Sequence, residues 1–187
     1  MNSTTVVIIV AIVVIAVAVG LIFLLWRRRS QRLREHFGGE YKHAVRQYGD
    51  PRKAEAELAA REKRVRKLDI RPLTNEEQSR FAELWRKTQA HFVDEPSKAI
   101  GEAEGLVKEV MQTRGYPVGD FDQRAADISV DHPNVVTNYR AGREIAARNK
   151  SGEATTEDLR QAMMHYRSLF EELTEVTEPA TSKEAIR

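Results

Sequence analysis

The chain has no cysteine among its 187 residues. That absence excludes a disulfide framework, a thiolate nucleophile and cysteine ligation of a metal, and it leaves the redox compartment open. No segment alternates apolar and polar residues with period two, so strands are not expected. There is no Gly-x-Ser-x-Gly elbow, Walker A loop, glycine-rich dinucleotide turn or His-Glu-x-x-His pair. The usual sequence signs of hydrolase, nucleotide and zinc-protease chemistry are therefore missing. The residues offer no catalytic, cofactor-binding or metal set. A further absence is of charge: from Val6 to Trp26 the chain carries none.

The 21 residues of that tract, as a helix rising about 1.5 Å per residue, reach about 30 Å, the thickness of a bilayer's hydrocarbon core. Twelve of them are valine or isoleucine. These are modest helix formers in water, but they partition well into hydrocarbon, where every backbone group must bond internally. A cleaved export signal would need a positive n-region and a small-x-small site behind a short apolar core. Only "MNSTT" precedes the tract, and the one such site, Ala16-Val17-Ala18, lies inside it. The sequence therefore predicts a permanent span over 6–26. Trp26 is expected at the headgroup level, with Arg27, Arg28, Arg29, Arg32 and Arg34 just beyond it as membrane-interface residues. Because arginines near a span stay on the cytoplasmic side, residues 1–5 are expected outside and the rest inside. Ala16 and Gly20 form a small-xxx-small pair through which two spans can pack as a homodimer.

Charge divides the rest of the chain. Residues 27–67 carry 14 Lys and Arg against 6 Asp and Glu, whereas 68–187 carry 16 against 22. A basic helical neck over 27–71 is thus predicted to join a mildly acidic body over 72–176, with a loose tail over 177–187. In the neck, Gly38-Gly39 breaks the helix leaving the membrane. At "YGDP", Gly49 suits a left-handed cap, Asp50 an N-cap and Pro51 the first helical position. Ala54, Leu58, Val65 and Leu68 then recur at coiled-coil spacing with Arg61 interrupting the seam, over too few heptads for a stable coiled coil. In the body, Thr74 and Glu77 spell a capping box, and Phe81, Leu84, Trp85, Thr88 and Phe92 a core-facing stripe. Further helices are predicted over 96–113, after Asp120, over 133–149 and after Thr155 or Thr156. The fold class is all-α: one transmembrane helix, a basic neck, and an antiparallel bundle of four or five helices.

Three clusters invite a functional reading. Asp120, Asp122, Asp127, Asp131 and His132 fall within 13 residues, but Ala125 and Asp131 stand where a calcium loop needs Gly and Glu, so caps and turns are the better reading. "REKRVRK", residues 61–67, is densely basic. No aromatic lies between Tyr48 and Phe81 to stack on bases, which disfavours nucleic acid and leaves a solvated helix, anionic lipid headgroups or an acidic protein partner. The irregular stretch 114–140 either plugs the end of the bundle with its aromatics or offers a recognition surface, whose candidates are Tyr116, Phe121, Asp131 and His132. Glu40 and His43 match half of a di-iron motif that has no second copy.

The runs "KAEAELAAREKRVRKLDIRPL", "RGYPVGDFDQRAADISVDHPNVVTNYR" and "TTEDLRQAMMHYRSLFEEL" resemble a group of bacterial single-span membrane proteins usually labelled hypothetical, membrane or secreted. The resemblance implies a bacterial envelope setting and brings no activity, ligand or site residue. The expected function is a membrane-anchored helical interaction or scaffold module, at the bacterial inner membrane, with its bundle in the cytoplasm. The alternatives are a metal-dependent or enzymatic domain using Asp120 to His132, and an extracytoplasmic envelope protein.

Overall fold

A computed structural model describes residues 3–175, with side chains from Ile12 onward. The predicted tail 177–187 lies outside the described residues, as do the side chains of residues 1–5 and of Val6–Ala11, where the predicted span begins.

Eight helices make up the described chain: α1 Ser3–Phe37, α2 Gly39–Tyr48, α3 Pro51–Val65, α4 Asn75–Asp94, α5 Pro96–Thr113, α6 Phe121–Asp131, α7 Val136–Lys150 and α8 Thr156–Thr174. Among the described residues there is no strand. Local chemistry sets most of the boundaries. Gly49 takes the left-handed conformation (φ 68°) and bonds back to the Val45 carbonyl, while the Asp50 carboxylate accepts from the backbone of Arg52 and Lys53. Both halves of the Thr74–Glu77 capping box form, and Thr155 builds a second box with Asp158. Such caps satisfy amides that the first turn of a helix leaves without partners. Helix α7 starts at Val136, later than the predicted Pro133, because the His132 amide still bonds the Ile128 carbonyl and the Val135 amide the His132 carbonyl. The chain completes a turn there before it can coil again.

Helices α4 to α8 enclose the larger core, centred on Phe81, Ile100, Val107, Met111, Tyr139, Tyr166 and Leu169. Within it the Trp85 and Phe170 rings stack with centroids 4.6 Å apart. The end of α1 with α2 and α3 forms a smaller core of Leu33, Phe37, Tyr41, Ala44, Ala54, Leu58 and Val65. Val130 of α6 belongs to that smaller cluster, and Ile70 of the link packs against both. The predicted neck is therefore no free stalk. It is a three-helix shoulder seated on α6 and α7.

The link "DIRPL" is fastened rather than loose. The Arg71 amide donates to the Arg114 carbonyl at 2.9 Å. The buried Arg114 side chain donates in turn to the Arg71 and Leu173 carbonyls at 3.3 and 3.0 Å. Gly115, at φ 97°, passes so close that a Cβ there would fall 2.3 Å from the Asp69 carbonyl oxygen. Only glycine supplies both that dihedral and that clearance.

Among the described residues no helix is long and apolar enough to cross a membrane. Helix α1 nevertheless runs for 35 residues without a break, about 52 Å at the usual rise.

Candidate functional site

Two regions concentrate chemistry, and both involve the shoulder. The first begins where α1 leaves its apolar tract. From Ile12 to Trp26 every large apolar side chain is 53–65% exposed. Successive helical residues point about 100° apart, so the apolar surface surrounds the helix on every side. Beyond Trp26 the helix meets α3, which runs alongside it in the same direction. The Arg52 guanidinium lies 4.7 Å over the Trp26 ring, Ser30 Oγ donates to Glu55 at 2.6 Å, and Arg32 approaches Glu62 at 3.8 Å. Glu55 also accepts from the Tyr41 hydroxyl at 2.8 Å, which itself accepts from Arg34 Nε at 3.2 Å. Of the five predicted interface arginines, Arg34 lies over the Tyr41 ring while remaining exposed. Arg27, Arg28 and Arg29 form no ion pair among the described residues.

Between α1 and α3 lies a cleft of about 610 Å³. Its rim carries Arg29, Arg32, Lys63, Arg66 and Lys67, and its floor Leu33 and Ala59. Among the described residues Glu62 is the single carboxylate in it, shared loosely by Arg32 and Arg66 at 3.8 and 3.7 Å. The basic run 61–67 is therefore split by the helix. Arg61 and Arg64 turn toward the body, while Lys63, Arg66 and Lys67 face the cleft.

The second region is the joint between shoulder and bundle. Glu40 is fully buried and accepts from Arg61 at 2.8 Å and from both terminal nitrogens of Arg140. Arg61, itself 3% exposed, also reaches Glu57 at 3.3 Å and the Ser129 hydroxyl at 3.4 Å. Beside it, Asp127 takes Arg64 Nε at 2.8 Å and Gln123 Nε2 at 2.9 Å on one oxygen. A buried ion needs such partners, because desolvation otherwise makes it strongly unfavourable. His43 lies at the edge of a small polar groove of about 230 Å³ beside this network. Its imidazole is held below the usual histidine range, first by burial and then by the Arg140 charge.

The remaining candidates have structural duties. Asp120 caps α6 through the Gln123 amide, and Asp131 accepts from the Tyr116 hydroxyl at 2.6 Å. His132 Nδ1 meets Glu172 at 3.0 Å. Among the described residues no three His, Asp or Glu side chains group as a metal site requires. Burial and the Asp131 charge push the Tyr116 hydroxyl well above the usual tyrosine range. Within the predicted partner surface, Tyr116 and His132 are only 2% and 5% exposed, so neither can greet a partner. Phe121, half-buried, packs against Tyr139 with centroids 4.8 Å apart, and Asp131 alone of the four is exposed. The aromatics of this stretch plug the bundle.

Neither the Glu40 network nor the cleft is legible in the sequence. Arg61 at a seam position is the one local sign of the first. The second depends on the parallel pairing of α1 with α3, which no local pattern records. No protein-family model matches the chain, and neither does any curated protein or solved structure.

Proposed function

We propose that the chain is a single-span membrane anchor carrying a helical scaffold module, held against the cytoplasmic face of a bacterial membrane. One observation carries this reading: the apolar sleeve of α1 from Ile12 to Trp26, exposed on all sides and continuous in sequence with the uncharged residues from Val6. Elsewhere among the described residues only Tyr48, Val93 and Met164 are exposed large apolar side chains, so the rest of the described surface suits water. A helix apolar on every side needs hydrocarbon or protein around it, and no described part of this chain supplies that cover. Arginines confined to one end of the tract favour the cytoplasmic side for the bundle. The polar exterior of the bundle favours a partner recognised through hydrogen bonds and charge, not through an apolar groove.

Two measurements test this. Membranes from expressing cells, washed at alkaline pH, should retain the full chain, and recovery in the wash would end the anchor reading. A reporter that works only in the cytoplasm, fused after Arg187, should be active; an expressed but inactive fusion would place the bundle on the other face.

A further inference from the structure

We infer that the turn between α2 and α3, with Arg46, Tyr48, Arg52 and Lys53 around it, is a second membrane contact that rests on anionic lipid headgroups beside Trp26. The inference rests on the membrane-anchor reading and adds a docking surface to it.

Level is the first argument. Helix α2 runs against α3, since Glu40 near its start bonds Arg61 far along α3 while Gly49 and Asp50 close the other end. Because α3 runs with α1, α2 descends toward the apolar tract. Its ten residues undo about 15 Å of the roughly 16 Å that α1 gains between Trp26 and Phe37. The Arg52 guanidinium, 4.7 Å over the Trp26 ring, marks the same level independently. Measured along α1, Tyr48, Arg52 and Lys53 thus stand within about 2 Å of Trp26, and Arg46 and Arg27 to Arg29 within about 5 Å of it. All lie inside a headgroup layer of about 5–8 Å.

The chemistry at that level suits lipid. Six cations from three helices meet there, and each basic residue near an anionic leaflet is attracted to it. Among the described residues of the shoulder two carboxylates share the level, and both are engaged: Asp50 holds the amides of Arg52 and Lys53, and Glu55 accepts from Ser30 and Tyr41. Asp120 and Asp122 share a polar groove with Tyr48, but that groove balances its own charges, these two and Glu57 against Arg61, Arg64 and Arg140. Tyr48 is also one of only three large apolar side chains that the described surface exposes outside the sleeve. A tyrosine with its ring uncovered fits the boundary between hydrocarbon and water. Span and turn together hold the shoulder upright, and lipid under the turn opposes its opening.

The test uses the full chain in vesicles of zwitterionic phosphatidylcholine, with and without about one-third phosphatidylglycerol. Since the chain has no cysteine, Gln47→Cys or Lys63→Cys can carry a single fluorescent label. A nitroxide on the lipid headgroup should quench the label at Gln47 strongly and the label at Lys63, about 16 Å along α3 from Arg52, weakly. Equal quenching would lay the shoulder flat on the membrane, and none at either would hold it clear of lipid; either result overturns the contact. Hydrogen exchange in α2 and α3 should slow about fivefold or more when phosphatidylglycerol is present, the effect of one cation at an anionic surface. Arg46→Gln with Lys53→Gln removes two side chains that form no ion pair among the described residues, and should abolish that slowing. Lys63→Gln with Lys67→Gln should preserve it. Equal loss in both pairs would overturn the site in favour of diffuse charge attraction, and slowing that is absent from wild type or survives the first pair would overturn it outright. A chain that neither kind of vesicle retains would strike the anchor reading instead.

Discussion

In the bundle, buried arginines bond to neutral groups: Arg114 to the Arg71 and Leu173 carbonyls, and Arg124 to the Gly119 carbonyl and the Tyr139 hydroxyl. At the joint with the shoulder, the buried Arg61 and the half-buried Arg140 meet a buried carboxylate instead, that of Glu40. The two arrangements fail differently. A guanidinium on carbonyls staples a loop, and its loss strands neutral acceptors at a cost of about 1–3 kcal/mol each. A carboxylate between two guanidinium groups is a keystone, and its loss leaves two like charges facing each other, one of them buried. The apolar contents differ too, since the bundle core far outnumbers the small cluster in the shoulder. The shoulder should therefore be the part that opens first.

The strongest way to break this asymmetry is Glu40→Ala. Removing one partner of a buried ion pair costs about 3–5 kcal/mol, and here two partners are left. Hydrogen exchange should speed up across α2 and α3 while α5 and α8 keep their protection. Uniform acceleration would show that shoulder and bundle open as one unit. Leu58→Ala, at 0% exposure in the smaller core, should cost about 2–5 kcal/mol by denaturant titration. It should reproduce the same local pattern without touching a charge. If only the Glu40 variant frees the shoulder, the ion network and not packing holds it down. Gly115→Ala acts on the link between the two regions. Its positive φ and the nearby Asp69 carbonyl predict a loss of about 1–3 kcal/mol, read as a lower melting temperature.

The same contrast explains what the sequence makes legible. Helix caps are local: Thr74 with Glu77 and Asp50 with Pro51 are spelled within a few residues, and the structure keeps them. The helices of the body show in apolar periodicity, because most of them bury one face. The joint is not local. Arg140 reaches Glu40 across 100 positions and Arg64 reaches Asp127 across 63. A lone charge in a seam announces that a partner exists without naming it. Asp127 stands in a segment whose composition suggests a cation site, yet it serves Arg64. Helix α6 is buried at every position from Arg124 to Val130, lying between shoulder and bundle. A helix with neighbours on both sides loses the one-faced pattern that makes a helix legible.

The smallest expected effect concerns an exposed pair beside the link. The Glu77 carboxyl is pulled down to about 2, first by its hydrogen bonds from Arg71 and then by the Thr74 amide. A carboxylate whose value is lower in the folded chain than in the unfolded one binds fewer protons when folded. Its contribution is complete above the ordinary glutamate value of 4.5 and is lost as pH falls toward about 2. Stability measured across that window should thus decline less in Glu77→Gln than in the wild type, and salt should narrow the gap because the pair faces solvent. Applied to hydrogen exchange, the same titration sharpens the comparison of regions. Amides at the start of α4 should lose protection in acid in the wild type, while those of α3, whose start is capped by Asp50, should not respond to the Glu77 substitution. A response in α3 would mean that the link transmits strain between shoulder and bundle, and the fastening of Arg71 to Arg114 would then be the path to cut next.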